Sequence, residues 1–366
     1  MSYLDSIHIE PTGKCNLKCK YCYNSKYQAK KQVENELTFF EIKNIIDQAF
    51  EIGCRDFAIS GGEPLVYSKI FELIDYISNK KVNRIAVFTN AMLLNEKICE
   101  KFSHISPKME FRITFDGYEK ADVVRVGSNY RAILNSIKLL KKYGFHIVIN
   151  TIVNELNYEY LDQIFNELSE IKVDKWIIDF PFRSGRAKEY IETGISAEKI
   201  IDAVCSIIEK YVKQRPTFSF EVQNLFKSQM LKEGFYKFDV NCGTCSYIKN
   251  GVTIRPNGDV LICPTLEISC GNVKDKSLKE IIDGKLRKEL LNIKVCQISK
   301  CCKCKYNTIC GGGCRADALN ETGSIYNNDV VACFHMAIME EKILPLLPLK
   351  LKKMIEKEIK DDNFEK

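Results

Sequence analysis

The stretch CNLKCKYC, residues 15–22, follows the first β-rich run of the chain and places Cys15, Cys19 and Cys22 in a single loop. Spacings of three and two residues let three thiolates converge on one small inorganic centre. Zinc in structural sites normally has four protein ligands. A 4Fe-4S cluster held by three cysteines leaves one iron free to bind another molecule. The loop therefore predicts a metal centre with an open coordination position.

The other cysteines are unevenly distributed. The chain has 17 cysteines, of which only Cys54, Cys99 and Cys205 lie between the first loop and residue 242, while the remaining eleven lie between residues 242 and 333. The opening residues, MSYLDSIHIE, lack the charged and apolar regions of a signal peptide. Thiols in a reducing compartment persist mainly as buried residues, reactive groups or metal ligands. The clustering favours metal ligands.

Composition excludes several partners. The 366 residues carry a net charge of +6 without a block of basic residues, which argues against nucleic acid as the main partner. No apolar run approaches the roughly 18 to 20 residues that a membrane span needs. We therefore expect a cytoplasmic protein with no membrane partner.

Short β-branched runs alternate with helical patterns up to about residue 225. Thr38 with Glu41 forms a capping-box pattern, and Gly53 and Gly144 lie where helices end. Such units predict a parallel sheet, either an incomplete barrel or a doubly wound sheet, with the chemistry at the C-terminal ends of the strands. The predicted strands are Ser6–Glu10, Asp56–Ser60, Arg84–Thr89, Glu110–Phe115, His146–Ile152 and Lys175–Phe180.

The pattern changes after Phe226. Asn257-Gly258 lies between two β-rich runs, which predicts a hairpin. A helix is predicted over Ser277–Leu291, and residues 348–366 alternate Lys with Glu as in a solvated helix or a frayed end. The segment CCKCKYNTICGGGC, residues 301–314, has too few apolar side chains to pack unaided, which indicates an inorganic centre.

The first loop, with Tyr21 directly before the third cysteine, resembles the cluster loop of radical S-adenosylmethionine (radical SAM) enzymes. In that family three cysteines hold a 4Fe-4S cluster whose free iron binds SAM, and one electron cleaves SAM to methionine and a 5'-deoxyadenosyl radical. Taken singly, each of the other matching positions suits a turn, a cap or core packing equally well. Those implied to contact SAM are Tyr21 in the cluster loop, Gly61, Gly62, Glu63 and Pro64 at the methionine amino group, Asn90, Thr114 and Arg125 around the ribose and carboxylate, and Ile152 at the adenine.

The later cysteines resemble the SPASM domain of the same enzymes, which carries two auxiliary 4Fe-4S clusters. A pair of zinc sites is the alternative explanation of these spacings. The resemblance implies a nearer cluster held by Cys242, Cys245, Cys263 and Cys314 and a farther one held by Cys301, Cys304, Cys310 and Cys333.

The resemblance implies a partial (β/α)6 TIM-type barrel over residues 1–225. A bridging segment over 226–240 would lead to a small Cys-rich α+β iron-sulfur domain over 241–340, with a charged tail over 341–366. The expected cofactors are SAM and three 4Fe-4S clusters, and an external reductant such as flavodoxin or ferredoxin would supply the electron.

The implied function is the oxidative modification of a ribosomally made peptide by a thioether or carbon-carbon cross-link. A separate leader-recognition protein is a possible partner, because the first strand begins by about residue 6. The alternatives are a small-molecule radical dehydrogenase, a tetrapyrrole-modifying enzyme, or a non-enzymatic electron-transfer or zinc protein. A sulfatase maturase is disfavoured, because Pro264 follows Cys263 where those enzymes carry an Asp as the proposed base. No catalytic base is identified.

Overall fold

The computed structural model describes residues 4–28, 35–105, 109–191, 197–241, 245 and 251–359. Its strands are β1 Ser6–Ile9, β2 Lys18–Cys19, β3 Asp56–Ile59, β4 Arg84–Thr89, β5 Met109–Thr114, β6 Arg125–Val126, β7 His146–Ile152, β8 Lys175–Asp179, β9 Ser219–Val222, β10 Phe226–Lys227, β11 Gly251–Ile254, β12 Asp259–Leu261 and β13 Ser269–Asn272.

The α-helices follow the strands in alternation through the first half of the chain and dominate its end. They are α1 Phe39–Glu51, α2 Ile70–Ser78, α3 Glu96–Ile105, α4 Glu119–Val124, α5 Tyr130–Lys142, α6 Leu161–Ile171, α7 Arg186–Ile191, α8 Ala197–Gln214, α9 Met230–Glu233, α10 Leu278–Ile282, α11 Lys285–Leu291, α12 Asn307–Cys310, α13 Arg315–Thr322, α14 Val330–Ile338 and α15 Leu349–Glu358. Within the described ranges, no helix is both long and apolar enough to cross a membrane.

Eleven strands form one sheet in the order β10-β9-β8-β7-β5-β4-β3-β1-β11-β12-β13. Every pairing from β9 to β11 is parallel, and the outer pairings are antiparallel. The six predicted strands are confirmed, each within one residue at either end. The predicted fold class is also confirmed: a mixed α/β partial barrel carries the cysteine-rich C-terminal region.

The strands alternate between an apolar face and a polar face. Successive side chains in a strand point to opposite sides of the sheet. Ile7 and Ile9 of β1 belong to the hydrophobic core between the sheet and the helices. His8 lies on the other face of the strand, and the same alternation assigns the buried Glu10, directly after the strand, to that face. The same alternation places Asp179 of β8 opposite the buried Ile178. The helices therefore cover the apolar side and leave a polar barrel interior.

Two predictions of local structure differ from the structure. Residues 277–291 form two helices instead of one, because Gly284, a weak helix former, ends the run and becomes the N-cap of α11. The C-terminal segment does form a helix, α15, but its Leu351 and Ile355 are buried in the barrel core, so only part of its surface is solvated. Their spacing of four residues places both side chains on one face of the helix.

The cysteine-rich region joins the barrel through a shared strand. The predicted Asn257-Gly258 hairpin is confirmed, and its first strand, β11, pairs in parallel with β1 in the register Ile7 to Val252. The region that contains the later cysteines is therefore hydrogen-bonded directly to the strand that precedes Cys15.

A buried ion pair lies at the end of this shared strand. Arg255 Nη1 donates to Glu10 Oε1 at 2.7 Å, and the two side chains are 1% and 0% exposed. Arg255 also donates to Asn24 Oδ1 at 2.8 Å and to the carbonyl of Pro264. One guanidinium thus contacts the end of β1, the segment after Cys22 and the residue after Cys263.

Replacing Glu10 by Gln should destabilise the protein, because it leaves the buried Arg255 without its counter-charge. Breaking a buried pair in this way costs about 3–5 kcal/mol. The exposed pair Lys26–Glu267 offers a matched control, since exposed pairs contribute about 0–1 kcal/mol. Thermal unfolding followed by circular dichroism should show a much lower midpoint for Glu10→Gln than for Glu267→Gln. Equal midpoints would contradict the proposed role of the buried pair.

Candidate cluster and cofactor sites

The first cysteine loop runs from the end of β1 into the short strand β2. Cys19 lies in β2 and pairs with Arg125 of β6, and the Lys20 N–H donates to the carbonyl of Val124 at 2.9 Å. The Leu17 N–H points at Cys15 Sγ, 3.4 Å away. Leu17 is the only apolar side chain between the first and second cysteines, so backbone contacts with neighbouring segments hold the loop.

The three thiols of this loop are half-buried and lie close enough to influence one another. Burial, with a smaller contribution from the neighbouring cysteines, raises the pKa of Cys15 and of Cys22 to about 11. Burial also raises the pKa of Cys19, and the positive charge of Arg125 partly offsets this rise. The thiols are therefore protonated at neutral pH before metal binds, and cluster assembly must displace those protons.

The turn of residues 60–64 packs directly against this loop. The Gly62 N–H donates to the carbonyl of Thr12 at 2.9 Å, and the Glu63 N–H donates to that of Lys14 at 2.8 Å. A Cβ on Gly62 would lie 2.0 Å from the Lys14 oxygen, and one on Gly61 would lie 2.3 Å from the Thr12 oxygen. The two glycines are thus required for the close approach of the turn to the cysteine loop.

Glu63 connects the ends of β3 and β4. Its buried carboxylate accepts hydrogen bonds from Thr89 Oγ1 and the Asn90 N–H, both at 2.7 Å, and from the Leu65 N–H at 3.1 Å. Burial raises its pKa, and these donors lower it. Pro64 begins the short 3-10 turn Pro64–Val66.

Asn90 reaches the cysteine loop. Its Nδ2 donates to Asn16 Oδ1 at 2.8 Å, while its own Oδ1 accepts from the Met92 N–H at 3.0 Å. The end of β4 is thereby tied to the residue that follows Cys15.

Asp116 lies among the remaining residues that are predicted to contact SAM. Its carboxylate accepts hydrogen bonds from the Tyr21 hydroxyl and, at 2.8 Å, from the Ile152 N–H. Arg125 Nη1 donates to the carbonyl of Thr114 at 2.5 Å. Burial raises the pKa of Asp116, and Arg125 lowers it.

The residues around the first loop fit a cluster with a bound anionic group. Arg125 is 2% exposed, and its Nε has no hydrogen-bond partner among the described residues. An orphaned buried donor next to Cys19 suits an acceptor such as a carboxylate or a thiolate. The three thiols and this guanidinium thus supply ligands and charge on the same side of the barrel.

The four cysteines predicted for the farther cluster line one cavity of about 140 Å³. A water molecule occupies about 30 Å³ of liquid, so the cavity has room for a group of several atoms. Burial raises the pKa of Cys301 to about 11 and of Cys310 to about 12. The other lining residues are Tyr306, Asn307, Gly312, Asp329 and Met336.

The predicted ligands of the nearer cluster pack around a small apolar group. Cys245, Cys263 and Cys314 all contact the buried set that includes Ile262 and Leu266. Burial raises the pKa of Cys314 well above its usual value, and Asp317 and Cys263 contribute to this shift. Cys242 lies outside the described residues.

Asp329 connects the two sets of cysteines. Its carboxylate accepts a hydrogen bond from the Cys314 N–H at 2.8 Å and caps α14, which carries Cys333, by accepting from Val331 and Ala332.

In the described part of the chain, no three Cys, His, Asp or Glu side chains surround a point that a single metal ion would occupy.

Asp179 is a half-buried carboxylate in the barrel interior, and no sequence motif indicated it. It ends β8, lies beside Ile152 in register, and accepts a hydrogen bond from Asn150 Nδ2 at 2.8 Å. Burial raises its pKa to about 6; Asn150 opposes that shift and Glu221 adds to it. The only sequence indication was its place at the C-terminal end of a parallel strand, where barrel enzymes carry their chemistry.

Replacing Asp179 by Asn should stabilise the protein above about pH 6. The folded state raises this pKa above the unfolded value of about 3.9, so the native protein gains stability as the pH falls from about 6 towards 4. A neutral Asn lacks this dependence. Thermal midpoints should be higher for Asp179→Asn at pH 8, and the difference should shrink as the pH falls below about 6 and disappear only below about pH 4. The exposed Asp75→Asn serves as control; a similar change there would contradict the prediction.

Comparison with known proteins agrees with this arrangement. The Radical SAM superfamily model matches residues 9–168, and the SPASM iron-sulfur cluster-binding domain model matches residues 245–306. The chain therefore carries a Radical SAM domain followed by a C-terminal SPASM domain, as the resemblance of its cysteine motifs implied.

Similar proteins differ in their named activities. An AdoMet-dependent heme synthase of Methanosarcina barkeri is 27% identical over 86% of this chain and 92% of its own length. The subtilosin biosynthesis protein AlbA of Bacillus subtilis is 25% identical over 85% of this chain and 67% of its own length. The crystal structure of Streptococcus suis SuiB bound to the precursor peptide SuiA shares the fold, with a TM-score of 0.70 and 20% identity over 91% of this chain and 76% of that one.

Proposed function

We propose that this protein is an oxidoreductase that modifies a ribosomally made peptide by forming a thioether or carbon-carbon cross-link. A 4Fe-4S cluster with bound SAM would supply the reductive cleavage of SAM and the 5'-deoxyadenosyl radical that removes hydrogen from the substrate. The observation that carries the proposal is that β1, which leads into the first cysteine loop, pairs with β11, which begins the region whose later cysteines line the cavity of Cys301 to Cys333.

The protein's own groups would hold and orient these cofactors. Cys15, Cys19 and Cys22 would bind the first cluster. Glu63 would accept from the methionine ammonium, because a carboxylate with three donors retains acceptor capacity. The unpaired Nε of Arg125 would donate to an anionic group.

The remaining predicted residues would complete the SAM site from three neighbouring strand ends. Gly61, Gly62 and Pro64 would shape the turn beside the loop, and Asn90 would approach from β4. Tyr21, Thr114 and Ile152 would complete the site around Asp116.

The later cysteines supply the reason for proposing oxidation. Removing a hydrogen atom from the substrate leaves a radical, and a two-electron oxidation needs an acceptor for one more electron. Two auxiliary 4Fe-4S clusters, on Cys242, Cys245, Cys263 and Cys314 and on Cys301, Cys304, Cys310 and Cys333, would accept it. An external flavodoxin or ferredoxin would reduce the first cluster.

The barrel interior favours entry of the substrate from the side of the cysteine loop. At the opposite end, Glu110 is paired with Arg84 and Arg112 and lies beside His146, and Lys175 is paired with Glu221, so charged side chains line that end. The subtilosin relative and the peptide-bound structure of the same fold support a peptide as the occupant. A separate protein would recognise the leader of that peptide.

Tetrapyrrole modification is the second candidate, because heme synthases match this chain over most of their length. The two candidates separate in an anaerobic assay with SAM and dithionite. A Cys-containing linear peptide or Fe-coproporphyrin III is added, and mass spectrometry follows 5'-deoxyadenosine and the substrate. Loss of two hydrogens from the peptide supports the proposal, and conversion of the porphyrin alone rejects it.

We expect about twelve iron atoms per chain after anaerobic reconstitution, four for each of three clusters. Replacing Cys15, Cys19 and Cys22 together by Ala should remove one third of the iron and abolish SAM cleavage. Iron and sulfide analysis gives the count. About four iron atoms, stoichiometric zinc, or SAM cleavage by the triple variant would contradict the assignment.

Replacing Cys301, Cys304 and Cys310 by Ala should separate SAM cleavage from substrate oxidation. The radical forms at the first cluster, so 5'-deoxyadenosine should still appear while most of the modified substrate is lost. Because cluster binding is also folding energy for this segment, circular dichroism and SAM binding serve as controls. A folded variant with normal turnover would leave this cluster a structural role only.

A further inference from the structure

The segment that follows β8 also contacts the first cysteine loop. The Arg186 N–H donates to the carbonyl of Cys22 and to Ser25 Oγ, both at 3.1 Å. Arg186 Nε donates to the carbonyl of Cys19 at 2.9 Å, and its Nη2 donates to Gln28 Oε1 at 3.1 Å. One residue thus binds both ends of the Cys19–Cys22 turn, although more than 160 residues separate them in sequence.

The backbone next to Arg186 is adapted to this contact. Gly185 has a φ of +58°, and a Cβ there would lie 2.5 Å from the Cys22 oxygen and 2.4 Å from the Tyr23 oxygen. Any other residue would force the segment away from the loop. The close approach is therefore a specific feature of this chain and not incidental surface packing.

Arg186 also brings a fixed positive charge to the loop. An arginine remains protonated at any physiological pH. Its guanidinium is hydrogen-bonded to the Cys19 carbonyl and is half-buried, so solvent screens its field less than at the surface. A nearby positive charge favours the reduced, more negative state of an iron-sulfur cluster, and hydrogen bonds around the ligands tune its potential.

We propose that Arg186 is a positioning residue for the first cluster: it fixes the Cys19–Cys22 turn and sets the reduction potential of that cluster. The proposal rests on the assignment of Cys15, Cys19 and Cys22 as cluster ligands. It adds a residue outside the cysteine motif and outside the predicted SAM contacts.

The test compares three variants of the full-length reconstituted protein. Arg186→Gln removes the charge, and Arg186→Lys keeps it. Lys188→Gln removes an exposed charge from the same helix and is the matched control. An anaerobic redox titration followed by electron paramagnetic resonance gives the midpoint potential of the first cluster, whose signal is identified by its change on adding SAM.

We expect Arg186→Gln to lower the equilibrium constant for reducing the first cluster about tenfold, which is about 59 mV for one electron. Arg186→Lys and Lys188→Gln should stay close to the wild-type potential. Should Arg186→Gln lose the first cluster, normal iron content and potential in Arg186→Lys would support the proposal.

Three results would overturn the proposal: an unchanged potential in Arg186→Gln, an equal shift in Lys188→Gln, or loss of the cluster in Arg186→Lys as well. A wild-type protein without a SAM-responsive cluster would instead reject the ligand assignment, and that failure appears before any variant is made.

Discussion

The ion pair between Glu10 and Arg255 determines how the two cysteine regions sit relative to each other. It closes the end of β1, the strand that pairs with β3 on one side and with β11 on the other. A slip of one residue in either pairing would exchange the two faces of β1, bury polar His8 among the helices and separate this pair. The position of the loop that begins five residues after Glu10 therefore depends on a contact with a residue 245 positions away.

The first cysteine loop is held from several directions because it has almost no hydrophobic core of its own. Gly62 contacts it from the end of β3, Asn90 from β4, Asp116 through Tyr21 from β5, and Arg186 from beyond β8. Each of these contacts is a hydrogen bond that also removes the need to bury an unpaired polar group. The barrel thus supplies to the loop the rigidity that its own sequence cannot provide.

The sequence alone predicted the features that depend on residues close together in the chain. Strands such as His146–Ile152 follow from β-branched runs, and the Asn257-Gly258 turn follows from its φ requirement. The resemblance to the SPASM domain grouped Cys301, Cys304, Cys310 and Cys333, and these four cysteines line one cavity. Arg186, Arg255 and Asp179 could not be found in this way, because their partners are distant in sequence and isolated charged residues usually lie on the surface. The burial of α15 was missed for the same reason: two apolar residues among lysines form a pattern too weak to outweigh the charge.

Buried charges take the place of apolar packing in the cysteine-rich region as well. Arg315 is 2% exposed and donates to the carbonyls of Ile325, Asn327 and Gly312, while Asp329 binds the backbone of Cys314 and caps α14. Arg315 carries a positive charge among thiols that become negative when metal binds, so its burial costs less with metal bound than without it. The thiols, in turn, must lose their protons against raised pKa values. Metal binding at these thiols would reduce both penalties together, and the folding of residues 301–333 would then depend on the proposed metal centre.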